Sequence, residues 1–186
     1  MDEPALSTGQ KLIVAAAAEF DDHGFLGTDT NKIARRAGFA PQTFYRWHKD
    51  KTAIFLAVMA AREPEELNLI GWLLIGDAPE AARLEAAIEQ RRQRRHYRRS
   101  LAWLALDDPA VRAAVAEARL RRIAQVKAWA PASAALAGDW VGTALMTLDR
   151  LIDAIAEGEL ADAGLDDEAA RTVAQRILAG IRSGEL

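Results

Sequence analysis

Gln42, Thr43 and Arg46 are the side chains of this 186-residue chain whose types and spacing most directly suggest chemistry. Glutamine can pair bidentately with adenine, arginine with guanine, and threonine can touch a thymine methyl, each good contact contributing about 1–3 kcal/mol of base discrimination. Tyr45, His48, Lys49 and Lys51 suit the sugar-phosphate backbone instead, where a contact positions rather than specifies. Thr28, Thr30, Arg36 and Pro41, near the ends of the segments that carry these residues, complete the expected DNA-facing set. From Thr28 to Lys51 six cations stand against two acids, whereas from Pro131 onward four arginines face ten acids. One basic end and one acidic body, within a net charge of −3, imply that only the N-terminal part meets phosphate.

Other chemistries lack their residues. The absence of cysteine removes disulfides, thiolate zinc sites and a cysteine nucleophile. His23, His48 and His96 have no metal-ligand spacing, and neither a Gly-rich phosphate loop nor a nucleophile elbow occurs. Carboxylates sit at helix starts, where capping and the helix dipole account for them. Neither an enzyme, a cofactor nor a metal is therefore expected. The start, Met1 to Pro4, lacks a basic leader, and the longest apolar stretch, Leu67 to Ile75, is far short of the roughly 20 residues of a membrane span. A cytoplasmic, non-membrane protein is the expectation.

What positions the candidate residues must be helical. Hydrophobic content is 51%, and Val/Ile/Thr runs bounded by hairpin turns are missing. Caps, glycines and prolines outline about nine helices. The first opens at Ser7, with Gln10 completing a capping box, and ends at Gly24. A second begins within Thr28 to Thr30 and stops at Gly38; a third runs from Pro41 to about Trp47. Asp50 caps a fourth, and Pro64, which removes an amide donor, is expected to interrupt or kink that helix as a hinge. Asp77 and Glu80 flank the next start, Asp108 and Pro109 another, and Pro131 a stop. Further helices cover Asp139 to Glu157 and the stretch from Asp166.

A helix-turn-helix needs apolar side chains where two helices meet, a small residue at the crossing and a glycine in the turn. Ile33, Ala37, Phe39, Phe44 and Trp47 fall on the inward positions, with Ala34 as the small residue and Gly38 in the turn. Residues 8 to about 60 also resemble the N-terminal domain of the TetR family of regulators. The resemblance runs through Phe20, His23 to Phe25, Gly27 and Thr28, Ile33 to Gly38, Thr43 to Arg46, then Asp50 and Lys51. It implies an all-α protein: a three-helix DNA-binding domain over 1–52, with the start of helix four to about 62, then a helical ligand-binding and dimerisation domain over 53–186. It further implies a repressor that binds a palindromic double-stranded DNA operator as a homodimer, with phosphate contacts at Tyr45 and Lys51. Ala40 departs from the family in lacking the usual capping hydroxyl, Trp47 and His48 invert the usual order, and Thr30 stands where an apolar residue is common. An all-helical protein-interaction module without DNA binding is the alternative, separated by salt-sensitive retention on DNA.

In the C-terminal part, the helix 139–157 carries apolar residues on two faces, which implies two neighbours. Val141, Leu145, Leu148, Ile152 and Ile155, with Val173 and Ile177 of the last helix, are the candidate dimer interface. Leu69, Trp72, Leu73, Arg95, Trp103, Leu106 and Trp129 are candidate pocket residues for a small-molecule effector acting through helix four. The run Arg91–Arg99 is read as a solvated face, with a phosphate patch as the alternative. A continuous helix, however, would set Arg91, Arg95 and Arg98 on the apolar stripe of Leu84 and Ile88. Either the helix breaks between Gln93 and His96, or arginines turn inward onto acids or an anionic ligand.

Overall fold

Local sequence signals set most of the helix ends. The computed structural model describes residues 6–135 and 139–185, and among these there are ten α-helices, one 3₁₀ helix and no strand. Helix α1 (Thr8–Gly27) starts on a reciprocal capping box: Ser7 N–H donates to Gln10 Oε1 at 2.8 Å, and Gln10 N–H donates to Ser7 Oγ at 3.3 Å. Gly24, at φ 68° and ψ −179°, breaks the helical path before a last turn to Gly27; only glycine adopts that conformation readily. Asp29 caps α2 (Thr30–Arg36) by accepting from Asn31 and Lys32 N–H, both at 2.9 Å. Helix α3 (Pro41–Tyr45) begins at Ala40 without a side-chain cap.

Helix α4 (Lys51–Ile75) runs through Pro64, so the proline does not end the helix, while the boundary between the chain's two compact units falls between Glu63 and Pro64. A proline removes a single amide donor, and Arg62, just ahead of it, is anchored: its Nη1 donates to Asp21 at 2.9 Å and its guanidinium lies 4.4 Å from the Tyr97 ring centre. Then come α5 (Glu80–Gln93), α6 (Arg95–Asp107), α7 (Pro109–Trp129), the 3₁₀ turn Pro131–Ala135, α8 (Trp140–Glu157), α9 (Glu159–Asp162) and α10 (Asp167–Ser183). The single turn α9, and a break between α5 and α6 at Arg94, account for the extra elements. No described helix is long and apolar enough to cross a membrane.

The chain divides into two compact units, one of residues up to Glu63 with His96–Ala114, the other of Pro64–Arg95 with the stretch from Val115. In the first unit Leu12, Phe20, Ile33, Phe44, Phe55 and Val58 have no exposed surface. Phe55 meets Phe20, Phe25 and Tyr97 at ring-centre distances of 4.9, 5.5 and 5.2 Å. Each such buried ring contributes about 1.5–3 kcal/mol. Ser100 of α6 joins them, accepting from Phe25 N–H at 2.8 Å.

In the second unit α8 packs against α5 and α10. Val141, Leu145, Leu148, Ile152 and Ile155 are only 1–2% exposed inside that core. The apolar face expected to meet a partner subunit is thus occupied within the protomer, because α5 and α10 cover it. Met146 on α8 and Val173 on α10 are exposed, and Ile177 is half-buried.

Replacing Gly24 by alanine would force an L residue into a glycine conformation and set a methyl 3.0 Å from Ser100 Oγ. Gly24→Ala is expected to destabilise the first unit by about 2 kcal/mol, read as a lower thermal midpoint; an unchanged midpoint would contradict this account.

Candidate nucleic-acid interface

The α2–α3 pair is held by Ile33, Ala34 and Phe44, all without exposed surface. Gly38 turns the chain at φ 79°, and Phe39 N–H then donates to Ala34 O at 2.9 Å. Phe39 and Ala37 are half-buried. Because Phe44 takes the inner side of α3, Gln42 and Arg46 are exposed and Thr43 is half-exposed. Pro41 occupies the first helical position, half-buried. Tyr45 is exposed, its hydroxyl 2.9 Å from Thr30 Oγ1. Lys49 is also exposed, 3.8 Å from Asp50.

Trp47 and His48 exchange the places expected of them. Trp47 is 53% exposed and lies over the start of α1, where a methyl on Gly9 would come within 2.7 Å of its Cε3. His48 turns inward, half-buried with its ring centre 5.8 Å from that of Phe44. A single turn beyond Phe44 cannot carry both rings inward, and the smaller one fits.

Three expected contacts are used inside the domain. Thr28 is buried and its hydroxyl donates to Glu19 at 2.7 Å, so that side chain cannot face DNA. Arg36 donates to Glu19 at 3.1 Å and Asp22 at 2.6 Å. Lys51 Nζ donates to the carbonyls of Phe25 at 2.6 Å and Thr28 at 2.9 Å and lies 4.2 Å from the Phe25 ring centre, so it closes the C-terminal end of α1. Burial lowers the Lys51 ammonium below the usual lysine range. Burial also raises the Glu19 carboxyl, but hydrogen bonds from Thr28 and Arg36 outweigh it and hold the group below its usual value. Glu19 was the signal overlooked, since it continues the stripe of Leu12 and Ala16 and so had to be buried and paired. Arg35 and Lys32, also exposed on α2, add positive charge that the expected set omitted.

The expected pocket residues divide between the two units. Leu69 and Leu73 line a cavity of about 10 Å³ in the second unit. Trp129 is half-buried against Gly71, and Trp72 is exposed. Trp103, Leu106 and Arg95 are exposed on α6. The arginine run both breaks and turns inward. Arg94 leaves the helical path at φ −104° and ψ 14°. Arg91, 5% exposed, donates to Asp149 at 3.0 Å and lies 3.6 Å from Glu66 and 3.7 Å from Asp153.

His48 Nε2 is buried without a hydrogen-bond partner among the described residues, and burial lowers its pKa below the usual 6.5. The unfolded chain then binds the proton more readily, so stability falls as pH drops through about 6.5. Between pH 7.5 and 5.5 the thermal midpoint of the parent is expected to fall further than that of His48→Gln; parallel curves would remove His48 from the account.

The family profile of bacterial regulatory proteins of the tetR family matches residues 12–58, the stretch from α1 into α4. A comparison with curated proteins finds no match. Among solved structures, a protein of Pseudomonas aeruginosa PAO1 described as a transcriptional regulator is similar at 19% identity and a TM-score of 0.62, over 95% of this chain and 90% of that one. One of Mesorhizobium loti MAFF303099, described as a TetR-family transcriptional regulator, is similar at 20% identity and 0.62, over 94% of each chain. The fatty acid degradation regulator FadR of Bacillus halodurans shares 12% identity at 0.61, over 96% of each. Residues 12–58, which contain the helix-turn-helix built on Ile33, Ala34 and Phe44, thus match the bacterial regulatory proteins of the tetR family, and the chain as a whole shares the all-helical fold of these solved regulators.

Proposed function

We propose that the protein is a non-enzymatic, ligand-responsive repressor that binds a palindromic operator as a homodimer in the cytoplasm. The observation that carries this reading is the two-sidedness of α3: Phe44 is locked in the core while Gln42 and Arg46 stand in solvent from the first turns. In this reading Gln42 pairs with adenine, Arg46 with guanine, and Thr43 meets a thymine methyl. Tyr45, Lys49 and the α2 cation Arg35 meet phosphates and hold the register, while Lys32 donates to the Gly27 carbonyl at 3.1 Å.

The reading helices lie in residues 1–52, with the start of α4 to about 62, in a compact unit that also takes in His96–Ala114, and the rest of 53–186 forms the body that dimerises and takes an effector. Exposed Met146 and Val173, with half-buried Ile177, support a partner contact on α8 and α10, since two such helices from each protomer can form a four-helix interface. Two reading helices then enter successive major grooves. An effector in the body changes their separation through α4.

Mobility shifts on DNA flanking the gene test the reading. Gln42→Ala and Arg46→Ala should each weaken specific binding by about 1–3 kcal/mol, roughly fivefold to 150-fold, while Lys49→Ala weakens all sequences alike and flattens the salt dependence. If both α3 variants retain every fragment as the parent does, α3 is not the reading helix.

A further inference from the structure

Helix α6 leaves an apolar stripe in solvent. Tyr97 and Leu104 turn to the core, whereas Ala102, Trp103 and Leu106 are exposed, Trp103 by 43% and Leu106 by 69%. A single exposed apolar residue is ordinary, but these three share about one turn of one helix. Cations bracket them. Arg99 is exposed one turn ahead of Trp103, and Arg95 is exposed at the helix start. At the other end Arg112 donates to the carbonyls of Leu106 and, at 2.9 Å, Ala105. Of the two acids there, Asp108 is taken up in capping α7, accepting from Ala110 N–H at 2.9 Å and Val111 N–H at 3.2 Å.

The second unit carries the complement. From Glu157 to Glu168 there are six acids and no cation, and Asp162 and Glu168 are exposed. Gly164, at φ 71°, closes the turn after α9: its N–H donates to Ala161 O at 3.0 Å, and Leu165 N–H donates to Leu160 O at 2.8 Å. The closed turn holds Leu165 59% exposed. An apolar tip that is already fixed, and flanked by carboxylates, loses little conformational freedom on contact.

We propose that these two surfaces meet between copies of this chain: the acidic turn 157–168 of one copy, with Leu165 at its tip, lies on the α6 stripe of a second copy. Charge selects the occupant. A basic and apolar stripe also suits an anionic lipid surface, but the chain bears −3 overall and ten acids against four arginines from Pro131 onward. A membrane would repel that acidic part, whereas a second copy offers the stripe its opposite charge. The contact goes beyond the proposed dimer interface, since it uses none of Met146, Val173 and Ile177. It joins unlike surfaces, so a two-fold pair makes it twice.

The test is sedimentation equilibrium of the full-length protein over a dilution series, at about 50 and 500 mM salt, which gives the dissociation constant of self-association. Arg99→Glu and Asp162→Lys should each weaken association about tenfold at low salt, and the two combined in one chain should recover most of the loss, because the reversed charges attract again. Leu165→Ser should weaken association about tenfold at both salt concentrations. Thermal midpoints should stay with the parent's, which separates a lost contact from a folding defect. A parent that stays monomeric, single variants that associate as the parent does, or a combined reversal no tighter than its single variants overturns the inference. Salt-reversible sedimentation of the parent with phosphatidylglycerol vesicles, absent with phosphatidylcholine and lost in Arg99→Glu, assigns the stripe to lipid and overturns it too. Met146→Asp reads the proposed α8 and α10 contact separately: if that variant alone loses association, the dimer reading stands and this contact falls.

Discussion

Phe44 sits against Ile33 and Ala34 with no surface left to water, and the orientation of α3 depends on that contact. A five-residue helix without a side-chain cap has almost no stability of its own, since nucleation outweighs the gain from so few hydrogen bonds. It exists because its inner side is buried. The same burial decides its outer side, because a rigid turn that commits Phe44 inward commits Gln42 and Arg46 outward. Around this pair the domain uses its charges for shape: Arg36 with Glu19 and Asp22, Lys51 on the carbonyls of α1, and Arg62 with Asp21 and Tyr97. The cations therefore divide into those that hold the scaffold and those, such as Arg46 and Lys49, that stand in solvent.

Legibility in the sequence followed the range of each interaction. The Ser7–Gln10 capping box, the turn at Gly38 and the inward Phe44 all act within a few residues and each was readable from spacing alone, whereas the start of α2 was placed only within Thr28 to Thr30 and the structure makes Asp29 its cap. Lys51 and Thr28 were not, because their partners lie 26 and 9 residues away and a surface-type residue gives no sign that it will be recruited. At Pro64 the helix continues, although the division into units falls there, because proline chemistry is local while the anchoring of Arg62 to α1 is not. On α8 the periodicity revealed an apolar face but not its owner, since nothing in the segment says whether α5, α10 or another subunit will cover it.

The arginine run shows the same limit from the other side. Its conflict with the stripe of Leu84 and Ile88 was visible and pointed to a break or to inward arginines; the structure has both, with the break at Arg94 and the inward turn at Arg91. The acids that receive Arg91 come from α4 and α8, up to 62 residues distant, so the pairing itself emerges only in three dimensions. A buried charge so enclosed is costly to uncover, because any rearrangement of the surrounding helices leaves it uncompensated.

The division of the chain at Glu63, Arg95 and Ala114 bears on how freely such a protein can be recombined. The reading unit is not a contiguous piece of sequence. Tyr97 completes the ring cluster around Phe55, and the Ser100 hydroxyl accepts the amide of Phe25, yet both arrive on a segment encoded some thirty residues beyond the end of the N-terminal stretch. A graft of that stretch onto a foreign body would leave one aromatic edge uncovered and one amide without its acceptor. Exchange of bodies between such regulators is thus constrained at the seam, where a recipient must supply an equivalent ring and hydroxyl or the donor must bring its own.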